Sequence, residues 1–140
     1  MTKKIDLFIN IAKLSYILSK TLDGKLGGIG FNDFIVLYHL NKAPENKLRR
    51  IDLAEMVGLS ASGVTRLLLP MEKIGLVNKE SNPNDARVSY VILAPGGKTK
   101  FTEALERFEI FNEEVISSDS NEKVLATKLF IDEIVEKIKM

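Results

Sequence analysis

Small hydroxyl side chains and an arginine are concentrated in one short stretch of this 140-residue sequence, SASGVTRLLLPMEK. If the stretch is helical from residue 61 onward, Ser62, Thr65 and Arg66 lie on one face, with Gly63 beside them. The opposite face carries an apolar stripe at i, i+3, i+7 and i+10, formed by Ala61, Val64, Leu68 and Met71. Hydroxyls and free N–H groups at a helix start bind phosphate, and arginine reaches phosphate or a guanine edge. The stretch therefore predicts a helix that lies against a nucleic acid.

A short helix and a glycine turn precede this helix. Residues 51–57 have helical character and are followed by Gly58, and Ser60 is a good cap for a second helix over 61–74. Two helices joined by such a turn match the helix-turn-helix pattern, whose second helix enters the major groove of DNA.

A β-hairpin is predicted next, in the segment VNKESNPNDARVSYVIL. Strands at 76–81 and 88–93 flank the polar tip NPND, and Arg87 lies close to that tip. Beside a DNA-binding helix, Arg87 would reach the adjacent minor groove, whose negative potential attracts arginine. Asp85 is placed to orient the guanidinium or to brace the turn. The alternative is a solvated turn whose Asp85–Arg87 ion pair is worth about 0–1 kcal/mol.

The remaining predicted elements are all helices, at 5–23, 31–40, 101–115 and 125–138. A two-stranded hairpin is not stable alone in water, so it must pack on the helix before it. The predicted fold is therefore mainly α-helical with a small β-hairpin.

The first of these helices has two apolar faces. Ile5, Phe8 and Ile9 fall on one side, and Leu14 and Leu18 fall on nearly the opposite side. A surface helix has one apolar face, so two faces indicate a helix between two layers. In so short a chain the second layer is expected to be another subunit, which predicts a homodimer.

Composition excludes several classes of function. There is no cysteine and only one histidine, and no paired carboxylates, nucleophile–base set or metal-ligand spacing is present, so we expect no enzyme activity and no metal or cofactor. The segment from Lys47 to Arg87 contains seven basic and five acidic residues, whereas the segment from Glu103 onward contains five basic and ten acidic residues. A basic middle and an acidic C-terminal segment suggest different roles. Apolar runs are too short to span a membrane and no signal pattern begins the chain, so a cytoplasmic location without a membrane partner is expected.

Two segments, GLSASGVTRLLLPMEKIGLV and NPNDARVSYVILAPGGK, together resemble the MarR family of winged helix-turn-helix transcriptional regulators. The resemblance covers essentially the whole chain and implies a single MarR-type domain over 1–140. It places a winged helix-turn-helix lobe at 31–95 and dimerisation helices at 1–24 and 97–140. It also implies seven DNA-binding residues: Ser60, Ser62, Gly63, Thr65, Arg66, Asp85 and Arg87.

The function implied is that of a homodimeric regulator, a repressor, that binds an inverted repeat in double-stranded DNA. The resemblance further implies a small aromatic or anionic effector that binds between the dimerisation helices and the lobe. Two features depart from the family pattern. Ala86 stands where a second wing arginine is common, and Pro70 inside the second helix predicts a kink or an early end. Both features favour an alternative, a dimeric winged-helix module that binds protein and has lost DNA binding.

Overall fold

A computed structural model describes residues 2–139. These residues divide into two compact units, one ending at Phe108 and the other beginning at Glu109. The first unit contains, in chain order, α1 (Lys3–Asp23), α2 (Phe31–Lys42), β1 (Lys47–Arg49), α3 (Arg50–Val57), α4 (Ala61–Lys73), β2 (Val77–Asn82) and β3 (Asp85–Leu93). Helix α5 (Pro95–Val115) runs from the first unit into the second, which also contains a 3-10 turn (Ser118–Ser120) and α6 (Asn121–Lys139). The predicted class, mainly α with a small β wing, is confirmed.

The hairpin belongs to a three-stranded antiparallel sheet in the order β1-β3-β2. Strand β3 pairs with β2 from Val77 opposite Leu93 outward, and with β1 through Leu48 opposite Val91. Lys47 joins the two outer strands, because its Nζ lies 3.4 Å from Glu80 Oε1 and 5.1 Å from the centre of the Tyr90 ring. The sequence did not predict β1, since three residues are too short to show an alternating pattern.

The core of this lobe forms where α4 packs against its neighbours. Helix α4 buries Val64, Leu68 and Met71, three of the four residues of the predicted stripe. Ala61, the fourth, is exposed at the start of the helix, so its prediction as core is wrong. Burial of this stripe leaves the hydroxyl and arginine face of α4 directed away from the core.

The sheet and α5 approach each other too closely for any side chain at Gly97. A Cβ added there would lie 2.0 Å from the Leu76 carbonyl oxygen. That oxygen also accepts a hydrogen bond from the Ala94 N–H at 3.1 Å, which holds it in place. Gly97 therefore fixes the start of α5 against the end of the β-hairpin. Helix α5 begins at Pro95, six residues before its predicted start at 101, with proline in the first turn where its missing N–H costs nothing.

Candidate nucleic-acid interface

The turn between α3 and α4 is built by local backbone chemistry. Gly58 adopts the left-handed conformation (φ 75°) that ends α3, and the next amide, Leu59 N–H, bonds to the Ala54 carbonyl at 3.0 Å. Ser60 then caps α4, since its Oγ accepts a hydrogen bond from Gly63 N–H at 3.1 Å. The predicted glycine turn and serine cap are both confirmed. Together they end α3 and begin α4 within three residues.

The first turn of α4 presents a hydroxyl pair to solvent. Ser60 and Ser62 are exposed, and their Oγ atoms lie 3.3 Å apart. One turn further along, Arg66 is also exposed, and no hydrogen bond or ion pair forms to its side chain within residues 2–139. Its guanidinium is therefore available to an external acceptor.

Thr65 is half-buried, and its hydroxyl already has two partners. It donates to the Ala61 carbonyl at 3.1 Å and accepts from Arg50 Nη2 at 2.8 Å. Sequence reasoning missed the role of Arg50, the first residue of α3. The available signal was the pair of arginines in KLRR immediately before that helix.

On the wing, Asp85 holds Arg87 through three hydrogen bonds. Asp85 Oδ1 accepts from Arg87 N at 3.0 Å and from Nε at 3.1 Å, and Oδ2 accepts from Nη2 at 3.2 Å. The side-chain bonds first, and then the backbone bond, lower the pKa of Asp85 below its ordinary value. The Arg87 side chain is nevertheless 90% exposed, so the guanidinium is oriented without being covered.

A cleft of about 540 Å³ separates the α3–α4 pair from the wing. It brings Thr65 and Arg87 to opposite walls of one opening, and Arg49 and Arg50 also line it. Arg49 forms a two-pronged ion pair with Asp52, with Nε 2.9 Å from Oδ2 and Nη2 3.2 Å from Oδ1. The floor is apolar, formed in part by Ile51, Ala54, Val64 and Val88. Glu55 also lines the cleft, and Arg49 and Arg87 are paired with carboxylates, so the cleft carries charges of both signs.

Pro70 does not end helix α4. Helix α4 continues for three residues beyond it, to Lys73, and Ile74 N–H bonds back to the Pro70 carbonyl at 3.2 Å. The expected early end is therefore wrong. The backbone hydrogen bond that Pro70 cannot donate is the one to the Arg66 carbonyl, so the loss lies beside Arg66 and beyond the first turn of the helix.

Within residues 2–139 no group of three or more His, Asp or Glu side chains could hold a metal ion. None of the helices in that range combines the length and apolarity needed to cross a membrane.

Comparison with known proteins gives consistent similarities. The model of the MarR family matches residues 32–89. The uncharacterized HTH-type transcriptional regulator YdgJ of Bacillus subtilis (strain 168) is 28% identical over 97 residues, which cover 69% of this chain and 54% of YdgJ. The chain thus matches about half the length of that relative.

Two solved structures share the fold. Sco3205, a MarR family transcriptional regulator from Streptomyces coelicolor solved in complex with DNA, has a TM-score of 0.84 at 21% identity, covering 100% of this chain and 91% of that one. The organohalide sensing regulator RdhR-CbdbA1625 in its 2,4-dichlorophenol bound form has a TM-score of 0.82 at 16% identity, covering 98% and 82%.

Proposed function

We propose that the chain is a member of the MarR family of winged helix-turn-helix transcriptional regulators, whose model matches residues 32–89, and that it binds double-stranded DNA in a sequence-specific manner. The observation that carries the proposal is the exposure of two cationic groups on one lobe, one of them oriented by a carboxylate. Arg66 projects from the outer face of α4, and Arg87 projects from the wing across the cleft. The DNA complex of Sco3205, which has the same fold, supports the proposal.

In this proposal α4 enters the major groove and the wing follows the adjacent minor groove. Ser60, Ser62 and Gly63 approach the DNA at the start of α4, where a helix favours negative charge and backbone N–H groups point outward. Arg66 contacts a phosphate or a guanine edge. Arg87, oriented by Asp85, enters the minor groove.

The cleft offers a path for the DNA strand between the two grooves. A phosphate that enters it would come close to Arg50, whose guanidinium has further N–H donors besides the one that bonds to Thr65. The apolar floor favours contact with the sugar rather than with water. Affinity should therefore depend steeply on salt, because several phosphates are neutralised at once.

We also propose that the protein works as a homodimer, with residues 1–24 and 97–140 as dimerisation helices around the lobe at 31–95. The support is apolar surface that stays exposed within residues 2–139. On α1, Phe8, Ile9 and Ile17 are about half exposed, and on α6 Leu125 and Phe130 are as well. Within residues 2–139, α6 has no buried residue at all. Two related subunits would place two copies of α4 in successive major grooves, about 34–36 Å apart, and so select an inverted repeat.

Regulation by a small molecule is the further part of the proposal. RdhR-CbdbA1625, solved with 2,4-dichlorophenol bound, has the same fold, and this supports a small aromatic or anionic effector, which would change the spacing of the two DNA-binding lobes. The regulator would then act as a repressor in the cytoplasm, where its DNA target lies. The alternative, a dimeric protein-binding module without DNA binding, has weaker support from Pro70, because α4 does not end there but continues to Lys73. Ala86 remains its other support.

A selection on random double-stranded DNA tests the proposal. The purified protein is expected to enrich a sequence with two inverted half-sites. Enrichment of no sequence, at low salt and with the protein folded, would contradict DNA binding and favour the protein-binding module.

A further inference from the structure

The hydroxyl of Thr65 has a restricted hydrogen-bonding capacity. A threonine hydroxyl has one proton to donate and two lone pairs to accept with. The proton is used on the Ala61 carbonyl at 3.1 Å, and one lone pair is used by Arg50 Nη2 at 2.8 Å. What remains for an external group is a single acceptor position.

Arg50 is well placed to impose this state. It begins α3, and its bond to Thr65 crosses from the first helix of the pair to the second in a partly buried position. Its planar guanidinium carries five N–H donors and no acceptor, so Thr65 can only accept from it. The contact uses one donor and leaves Thr65 facing the cleft with its proton turned back along α4.

An acceptor-only hydroxyl is a poor partner for the DNA backbone. Phosphate oxygens accept hydrogen bonds and do not donate them. A phosphate beside Thr65 would therefore find only an acceptor on the hydroxyl, and the two groups could form no hydrogen bond. Base edges differ. In the major groove only adenine N6 and cytosine N4 donate, whereas guanine and thymine present acceptors or a methyl group there.

We infer that Thr65 reads an exocyclic amino group, adenine N6 or cytosine N4, as a hydrogen-bond acceptor, and that Arg50 is the positioning residue that fixes its hydroxyl for this task. The inference rests on the proposed function, since it specifies what one residue of α4 does in the major groove. It assigns Thr65 to base recognition and Arg50 to the orientation of Thr65.

The experiment uses the full chain and its selected inverted-repeat duplex. At each half-site position an adenine is replaced by unsubstituted purine, or a cytosine by pyrimidin-2-one, which removes only the amino group. Binding of wild-type protein should fall about 2- to 13-fold at one position in each half-site, the range expected for the loss of a single hydrogen bond. Thr65→Val keeps the shape of the side chain and removes the hydroxyl, so the same replacement should cost this variant little further affinity.

Arg50 variants separate orientation from charge. Arg50→Met should reduce the penalty for the missing amino group, because the hydroxyl is then free to rotate. Arg50→Lys, which keeps a donor and the charge, should restore part of the penalty. Lys25→Gln, at an exposed position between α1 and α2 that lies outside the lobe and the dimerisation helices, is the control and should bind as wild type does.

The outcomes are distinguishable. Failure of wild-type protein to select any DNA would contradict the proposed function itself. Selective binding in which every amino-group deletion costs wild type and Thr65→Val the same would overturn the role of Thr65. An unchanged penalty in Arg50→Met would overturn the role of Arg50. A loss on Thr65→Val that couples to a methylphosphonate in the backbone, and to no base, would show that Thr65 binds phosphate and would also overturn the inference.

Discussion

Asp85 holds the Arg87 guanidinium through both carboxylate oxygens while the arginine side chain stays 90% exposed. An ion pair at such an exposed site adds little to stability, about 0–1 kcal/mol. Its effect is instead to fix the direction of a cation at the end of the wing. The proposed minor-groove contact depends on this orientation, and the roles of the two residues are separable by mutation.

Arg87→Ala should weaken DNA binding by about 1–3 kcal/mol and reduce the preference for A·T pairs at the flanks of the site. Asp85→Ala should have the same effect more weakly, because it removes the orienting group and keeps the charge. Titration of each variant on matched duplexes measures this. Thermal melts are the control and should not change, because Arg87 is exposed and makes no core contact. If Arg87→Ala binds like wild type, the hairpin is an ordinary turn.

The oligomeric state can be tested through the exposed apolar face of α1. Wild-type protein should sediment as a dimer at micromolar concentration, since obligate interfaces of this kind bury roughly 2,000 Å² or more. Ile9→Lys should shift the equilibrium to monomer, because it places a charge in that interface. Ile74→Lys, at a site with similar exposure (67% against 61%), should leave the dimer intact. A folded wild-type monomer at micromolar concentration would rule out the homodimer.

The contact between Gly97 and the Leu76 carbonyl predicts a local steric limit. Gly97→Ala should destabilise the fold by about 1–3 kcal/mol, as overpacking does, since a Cβ there would lie 2.0 Å from that oxygen. Gly24→Ala is the matched control. No atom lies within 4 Å of a Cβ added at Gly24, so its free energy of unfolding should stay within about 0.5 kcal/mol of wild type. Denaturant unfolding compares the two variants, and equal stabilities would contradict the close approach.

His39 predicts a pH dependence of stability near neutrality. Burial first, and the charge of Lys42 second, lower its pKa below the ordinary value of 6.5. Because the unfolded chain then binds a proton more readily than the folded one, stability should fall as the pH drops through about 6.5. In His39→Gln this part of the loss should disappear, whereas the acid loss due to carboxylates at lower pH should remain. Unfolding curves at pH 7.5, 6.5 and 5.5 measure it, and identical pH profiles for the two proteins would contradict the role of His39.

The parts of the molecule that sequence predicts well are those governed by neighbouring residues. Gly58 and Ser60 mark the turn and the helix start because each acts within four residues of its own position. Strand β1 escapes such reasoning, because three residues become a strand only through pairing with β3. The Arg50–Thr65 bond escapes it as well, since it joins residues 15 apart through a long, flexible side chain. At Pro70 local reasoning predicted too much. Proline disfavours the interior of a helix, but α4 continues past it because Val64, Leu68 and Met71 on the same helix are packed in the core.

The central proposal, recognition of an inverted repeat by α4, is tested most directly by titrating wild type and Arg66→Ala on three duplexes. These are the selected inverted repeat, a duplex with one half-site scrambled, and a fully scrambled duplex, each at several salt concentrations. Wild type should bind the intact repeat most tightly, lose much of that affinity when one half-site is scrambled, and weaken steeply as salt rises. Arg66→Ala should melt like wild type but bind the intact repeat about 1–3 kcal/mol more weakly. Equal affinity of wild type for all three duplexes, together with unchanged binding by Arg66→Ala, would contradict recognition of an inverted repeat by α4.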